Sequence, residues 1–147
     1  MNLEVLVVDD NDMLQFLHKK MLSMSEIASC PRTFSNGKQA LEFLIENKQP
    51  ETEYLVFLDL NMPVMNGFTF LENLEVLQYK ENVHVIIVSS SVEEYDEHKL
   101  RKIAHLSSVL DFVEKPLRFK DCERIKKMDA LQKFFINYKE LASQTRG

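Results

Sequence analysis

The chain has 147 residues, of which 45% are hydrophobic and 28% charged, and its formal net charge is −5. This length suits one domain with a core large enough to fold without disulfide or metal staples, and the acidic balance disfavours a nucleic-acid partner but is compatible with a metal cation. No stretch approaches the ~18 apolar residues of a membrane span, and a signal peptide is absent from the N-terminus, so we expect a cytoplasmic protein without a membrane partner.

Short apolar runs predict β-strands at residues 5–8, 54–58, 83–88 and 109–113. The first three runs are nearly continuous, which is typical of parallel strands covered on both faces. Asp111 interrupts the fourth run, so we expect that strand at an edge of the sheet. A weaker candidate at 27–34 contains Pro31, which lacks an amide hydrogen and therefore also favours an edge.

Apolar residues at helical spacing fill the gaps between these runs. They predict helices over 13–22, from Asn36-Gly37 to 45, from Gly67 to 77, over about 93–104, and from about Phe119 onward without a break until Gly147. The buried stripe of the first helix is predicted to comprise Met13, Leu14, Phe16, Leu17, Met21 and Leu22. Strands that alternate with helices indicate an α/β fold of the (βα)₅ type. The cysteines, Cys30 and Cys122, are expected to be buried reduced thiols.

Polar side chains follow four of the predicted strands. These are Asp9 and Asp10, Asp59, Ser89 to Ser91, and Lys115. Because the carboxyl ends of parallel strands share one edge of the sheet, where ligands bind, we expect these groups to converge. Each group alone has a structural alternative: an N-cap of the first helix from Asp10, Asn11 or Asp12, a cap of the fourth helix from the serines, and a solvated Lys115.

The chemistry of the converging groups favours a divalent cation and a phosphoryl group. Three carboxylates in one crevice repel unless a cation lies among them, and all-oxygen ligands suit Mg²⁺, with Mn²⁺ as an alternative. Lys115 would supply a point charge for a phosphate, and Ser89 a movable hydroxyl. Asp59 lies between two leucines of a buried run and is the candidate nucleophile.

Four segments carry a resemblance to a known family: VLVVDD at 5–10, FLDLNMPVMNG at 57–67, IIVSSS at 86–91 and FVEKP at 112–116. In this order they resemble the receiver domain of two-component response regulators over about residues 3–128, in a stand-alone chemotaxis-type layout. The resemblance implies a doubly wound parallel sheet with the flavodoxin-like strand order 2-1-3-4-5. We expect a receiver domain at 1–128 and an extension of the last helix at 129–147, with no separate output domain.

The resemblance also implies a role for each matching residue. Asp59 is the expected phosphoacceptor, and Asp9 and Asp10 the Mg²⁺ carboxylates. The remaining roles fall to Asn61 (a backbone carbonyl for the metal), Lys115 (a partner of the phosphoryl group, before a cis bond to Pro116), and Ser89 and Phe112 (the switch positions). The residue chemistry leaves a second reading for Phe112, as a core residue of an edge strand.

The implied function is a signalling module, not an enzyme beyond its own phosphorylation and slow autodephosphorylation. A sensor histidine kinase or a histidine phosphotransfer protein would phosphorylate it, and the surface of helix 4, strand 5 and helix 5 would then switch toward an unknown target. A phosphatase of the haloacid dehalogenase type would need an aspartate where Asn61 stands. A flavodoxin-like carrier would need a phosphate loop where DDNDM stands, and a scaffold without phosphorylation is disfavoured because every site residue is present.

The last predicted helix leaves alternatives open. Apolar residues recur from Met128 to Ala142, a stripe that a five-stranded domain would not cover if the helix continued straight. The helix could bend back over its own domain, form a homodimer or target contact, or fray.

Overall fold

The computed structural model describes residues 2–47, 49–78, 80–90 and 97–136. In these ranges the strands are Asn2–Val8 (β1), Arg32–Phe34 (β2), Thr52–Leu58 (β3), Val83–Ser89 (β4) and Val109–Glu114 (β5). The α-helices are Asp12–Met24 (α1), Gly37–Glu46 (α2), Gly67–Glu75 (α3), Glu97–Ala104 (α4) and Phe119–Lys126 (α5). The strands are parallel and lie in the order β2-β1-β3-β4-β5, which confirms the predicted fold and both edge strands.

Two apolar layers cover the sheet. Along β1, Leu6 and Val8 face the layer of α2, α3 and α4, whereas Val5 and Val7 face the layer of α1 and α5. All seven residues of β3 are buried, which explains the continuous apolar run at this strand. β2 is shorter than predicted because it begins only after Pro31, which cannot donate to the ladder.

Asparagine side chains cap the N-termini of three of the helices. Asn11, Asn36 and Asn66 each accept a hydrogen bond from the backbone amide three residues later, at the N-termini of α1, α2 and α3. Asn11 is therefore the cap of α1, and neither Asp10 nor Asp12 is needed for that role. α4 begins at Glu97, and its predicted start near Glu93 lies outside the described residues.

The buried face of α1 differs from the prediction. Met13, Phe16 and Leu17 are 66%, 61% and 43% exposed, whereas His18 is only 2% exposed. The reason is that the inward face of α1 meets polar backbone groups at the ends of the strands. Gln15 Nε2 donates to the carbonyls of Asp9 at 2.6 Å and Phe34 at 3.4 Å. Of the predicted stripe, only Leu22 is fully buried.

The chain after α5 also differs from the predicted extended helix. α5 ends at Lys126, and the C-terminal segment (residues 128–136) forms turns and a short 3₁₀ helix, Gln132–Phe134. Within it, Leu131 is fully buried in the layer of α1 and α5. The described part of the segment thus bends back over its own domain, and the rest of the predicted stripe lies outside the described residues. Cys122 is buried as predicted, but Cys30 is exposed.

The loop after β3 contains a strained valine. Val64 has φ 68°, and the amide of Met65 donates to the carbonyl of Pro63 at 2.8 Å across it. This left-handed conformation costs a β-branched residue roughly 1–3 kcal/mol, whereas glycine adopts it freely at an entropic cost of about 0.5–1 kcal/mol. We expect Val64→Gly to raise the free energy of unfolding by ~1 kcal/mol in urea titrations.

Val76 provides the matched control for this substitution. It is a similarly exposed valine with φ −89°, so Val76→Gly relieves no strain and should not stabilise the protein. Equal effects of the two substitutions would show that the backbone conformation at Val64 is not the cause.

Candidate functional site

The parallel register of β1 and β3 brings two carboxylates together. Val8 pairs with Leu58, so Asp9 and Asp59 follow at neighbouring strand ends, and the amide of Asp59 donates to the carbonyl of Val8 at 3.0 Å. With Asp10, their carboxylate oxygens lie within 4.8 Å of one another. The predicted convergence at the carboxyl edge of the sheet is therefore observed for these three carboxylates.

This acidic cluster fits the predicted Mg²⁺. Asp9 and Asp59 are 2% and 5% exposed, whereas Asp10 is exposed. Their all-oxygen donor set, open to solvent on the side of Asp10, suits an ion that retains several waters. At Asn61 the backbone amide donates to Asp59 Oδ1 at 3.3 Å, and a role of its carbonyl as a metal ligand stays a prediction.

Lys115 lies within this cluster. Its Nζ is 2.7 Å from Asp9 Oδ2 and 3.2 Å from Asp59 Oδ2, and its side chain is only 12% exposed. The alternative of a solvated lysine is thus excluded. Although burial lowers the pKa of Lys115, its bonds to the two carboxylates outweigh burial and raise that pKa above its ordinary value.

The surroundings of Asp59 disfavour its ionised form. Burial raises its pKa, the nearby charge of Asp9 adds to this rise, and Lys115 and the amide of Asn61 oppose it without cancelling it. An ionised Asp59 is therefore held at a cost in the metal-free protein. A cation among the three carboxylates would relieve that cost.

Gly67 allows the chain to pass close behind Asp59. A Cβ at this position would lie 2.6 Å from the carbonyl oxygen of Asp59 and 2.8 Å from the Cα of Leu60. Because both are backbone atoms, no side chain fits without moving the strand end that carries Asp59. This close approach explains the glycine in the FLDLNMPVMNG segment.

The two predicted switch residues lie outside the acidic cluster. Ser89 ends β4, is 3% exposed, and accepts the amide of Lys115 through its carbonyl at 2.9 Å. A cleft of about 400 Å³ above the acids is lined by Asp9, Asp10, Asn11, Leu14, Asp59, Asn61, Ser90 and Lys115. Ser90, not Ser89, lines it. Phe112 is half-buried against the layer of α2, α3 and α4, which fits either reading of this residue.

Sequence reasoning missed Gln15 and His18. Both lie on the inward face of α1, where Gln15 contacts the ends of β1 and β2 and His18 contacts the loop between β5 and α5. Their three-residue spacing, which places both on one face of α1, was the available signal. This signal was overlooked because most apolar residues of α1 lie on the opposite face, which was therefore predicted to be the buried one.

A metal-binding measurement tests the acidic cluster. We expect Mg²⁺ at ten times its dissociation constant to stabilise the protein by about 1.4 kcal/mol, a melting-temperature shift of about 3–5 °C. Asp10→Ala should remove most of this shift, because it deletes one ligand. Asp12→Ala, which changes an exposed acid outside the cluster, should keep the shift. A full shift in Asp10→Ala would place the metal elsewhere.

Residues 5–127 match the family model described as the response regulator receiver domain. The chain is 33% identical over 114 residues to protein-glutamate methylesterase/protein-glutamine glutaminase 3 of Burkholderia thailandensis, covering 78% of this chain and 29% of that protein. It is 29% identical over 122 residues to the probable C4-dicarboxylate response regulator DctR of Priestia megaterium, covering 83% of this chain and 48% of that protein. The chain therefore spans less than half the length of these curated relatives.

Solved structures support the fold independently. The two-component response regulator from Cytophaga hutchinsonii superimposes with a TM-score of 0.72 at 24% identity, covering 90% of this chain and 98% of that one.

Among the described residues, no helix combines the length and apolar character that crossing a bilayer requires.

Proposed function

Because the chain belongs to the response regulator receiver domain family, we propose that it acts as a signalling module that Asp59 switches by accepting a phosphoryl group. The observation that carries this proposal is the placement of Lys115 Nζ between the buried carboxylates of Asp9 and Asp59. The ammonium of Lys115 beside Asp59, together with a cation held by Asp9, could neutralise the negative charge of a phosphoryl group as it arrives. We place the receiver unit at 1–128, and the family match over residues 5–127 supports this proposal.

The residues suggest how the transfer proceeds. A carboxylate oxygen of Asp59 attacks the phosphorus of a phosphohistidine, the phosphorus–nitrogen bond breaks, and the departing imidazole takes up a proton. Asp9 and Asp10 would hold Mg²⁺, with the carbonyl of Asn61 as a further ligand, and the ion would supply positive charge for the phosphoryl oxygens. Lys115 would then form an ion pair with the phosphoryl group, in place of its present contact with the Asp59 carboxylate.

The proposed response begins at the two switch positions. A phosphoryl group adds about −1.5 to −2 charges and strong acceptors beside the end of β4. The Ser89 hydroxyl would move toward it, and Phe112 would turn into the space so vacated. The surface formed by α4, β5 and α5 would shift between two pre-existing states, which a downstream protein could distinguish.

The proposed partners and setting follow from the family. A sensor histidine kinase or a histidine phosphotransfer protein would be the donor, in the cytoplasm. The chain's own chemistry would be limited to its phosphorylation and slow autodephosphorylation. Between the alternatives for the last helix, a homodimer has less support than a contact within the chain, because Leu131 is already buried in its own domain.

Phosphorylation by a small donor tests the proposal directly. Incubation with phosphoramidate and Mg²⁺ should add the mass of one phosphoryl group to the intact protein, and EDTA should prevent the addition. Phosphoramidate is suited because it mimics the phosphorus–nitrogen bond of phosphohistidine. An unchanged mass in the folded, Mg²⁺-saturated protein would contradict the proposed function.

A further inference from the structure

His18 is a buried histidine outside the cluster of predicted site residues. It lies on α1 with 2% exposure, and its Nε2 is 3.2 Å from the backbone nitrogen of Leu117, a residue 99 positions away in the chain. Because an amide N–H can only donate, Nε2 must be the acceptor, so the ring proton is on Nδ1. A neutral histidine thus joins α1 to the loop between β5 and α5.

We propose that His18 is a positioning residue for phosphoryl transfer, which by accepting the amide of Leu117 fixes the loop that holds Lys115 between Asp9 and Asp59. The inference rests on the proposed function, since Lys115 has a role in transfer only if Asp59 is phosphorylated. In the described part of the chain, His18 forms no hydrogen bond or ion pair with the carboxylates. It acts through the backbone of the loop.

The loop needs this acceptor. Pro116 has no amide hydrogen, and the amide of Lys115 is already bonded to the carbonyl of Ser89 at 2.9 Å. The next donor is the amide of Leu117, a residue only 3% exposed. An apolar side chain at position 18 would leave that amide buried without a partner, and the loop would have to move to reach water.

The surroundings of His18 keep the acceptor available. Burial lowers the pKa of His18, the carboxylate of Asp9 opposes this effect, and the charge of Lys115 reinforces it. The net direction is downward, so the ring is neutral at pH 7 and its Nε2 lone pair is free for the amide. Gln15, on the same face of α1, holds the carbonyl of Asp9 at 2.6 Å. α1 therefore restrains both sides of the Lys115–Asp9 pair.

Position matters because Lys115 must meet a phosphoryl group whose location is set by Asp59 and the metal. A displacement of about 1 Å in a charge-stabilising group can lower a rate by up to about 100-fold. The loop keeps other attachments, including the buried side chain of Leu117, so loss of the His18 bond should cost less. We expect a loss of about tenfold.

The experiment compares the phosphoramidate labelling rates of His18→Gln, His18→Met and wild type over a range of Mg²⁺ concentrations. The amide oxygen of glutamine can replace Nε2, whereas methionine fills the space without a comparable acceptor. His18→Met should lower the maximal rate about tenfold, and His18→Gln should remain within about twofold of wild type. The Mg²⁺ concentration for half-maximal rate should not rise in either variant, because the metal ligands are intact.

A wild-type rate in His18→Met, an equally slow His18→Gln, or a weakened response to Mg²⁺ would overturn the positioning role. Should His18→Met not fold, His18→Asn repeats the test, since its oxygen is too short to reach Leu117. In wild type, an ¹⁵N–¹⁵N scalar coupling between His18 Nε2 and the Leu117 amide is expected, and its absence would overturn the geometry. No labelling of wild type would contradict the proposed function instead.

Discussion

Asp59→Asn is expected to abolish phosphoryl incorporation from phosphoramidate, because asparagine lacks the anionic oxygen that attacks phosphorus. The side chain keeps its size, so the buried position after β3 should still be filled. The intact mass of the variant should stay unchanged under conditions in which wild type gains one phosphoryl group. Labelling of Asp59→Asn to the wild-type extent would place the acceptor elsewhere.

Two further variants make this result specific. Asp10→Asn removes a predicted metal ligand but not the nucleophile, so it should be labelled, more slowly and with a need for more Mg²⁺. Asp12→Asn changes an exposed carboxylate at the start of α1, outside the acidic cluster, and should be labelled like wild type. The three variants, at Asp59, Asp10 and Asp12, therefore distinguish the nucleophile, a metal ligand and an acid with no role in the transfer.

Asp59→Asn should also stabilise the metal-free protein. The raised pKa of Asp59 means that the folded state holds its proton more tightly than the unfolded state does. The ionised carboxylate thus opposes folding at neutral pH, and its penalty is relieved as the pH falls through the folded-state pKa. Asp59→Asn removes the penalty, so its melting temperature without Mg²⁺ should exceed that of wild type.

Leu131→Ala is expected to lower the free energy of unfolding by about 2–5 kcal/mol, the usual cost of deleting a fully buried leucine side chain. Leu131 has no exposed surface and packs in the layer of α1 and α5, although it lies beyond the end of α5. Urea titration measures the change. Leu17→Ala is the matched control: this leucine of α1 is 43% exposed, and its loss should cost much less.

An ion pair adds to the expected loss when the whole segment is removed. Lys133 Nζ contacts Glu53 Oε2 at 2.6 Å, and His84 Nε2 contacts Glu53 Oε1 at 2.7 Å. Burial raises the pKa of Glu53, but Lys133 and His84 outweigh burial and lower it. A chain ending at Lys127 would leave this carboxylate with fewer partners and should be less stable than Leu131→Ala. Equal stability of that shortened chain and wild type would show that the C-terminal segment is not part of the fold.

The sequence was enough to locate the strands of the sheet and to bring three of the candidate site residues together. Continuous apolar runs identified the central strands, while Pro31 and Asp111 identified the edges, because burial on one or both faces of a strand leaves a period that can be read locally. Asp9, Asp59 and Lys115 could be placed together without a structure, since parallel strands all end at one edge. These inferences depend on topology and need no knowledge of side-chain direction.

The tertiary structure alone decided the orientation of α1 and the course of the chain after α5. Helical spacing shows that one face of α1 is apolar, but it cannot show that backbone groups at the strand ends and at Leu117 take hydrogen-bond partners from Gln15 and His18 on the inward face. Likewise, the spacing of apolar residues from Met128 onward is compatible with a straight helix. In the structure the chain instead turns back, and Leu131 packs in the layer of α1 and α5. In both places a partner distant in sequence determined which side chains were buried, and local periodicity carries no information about such partners.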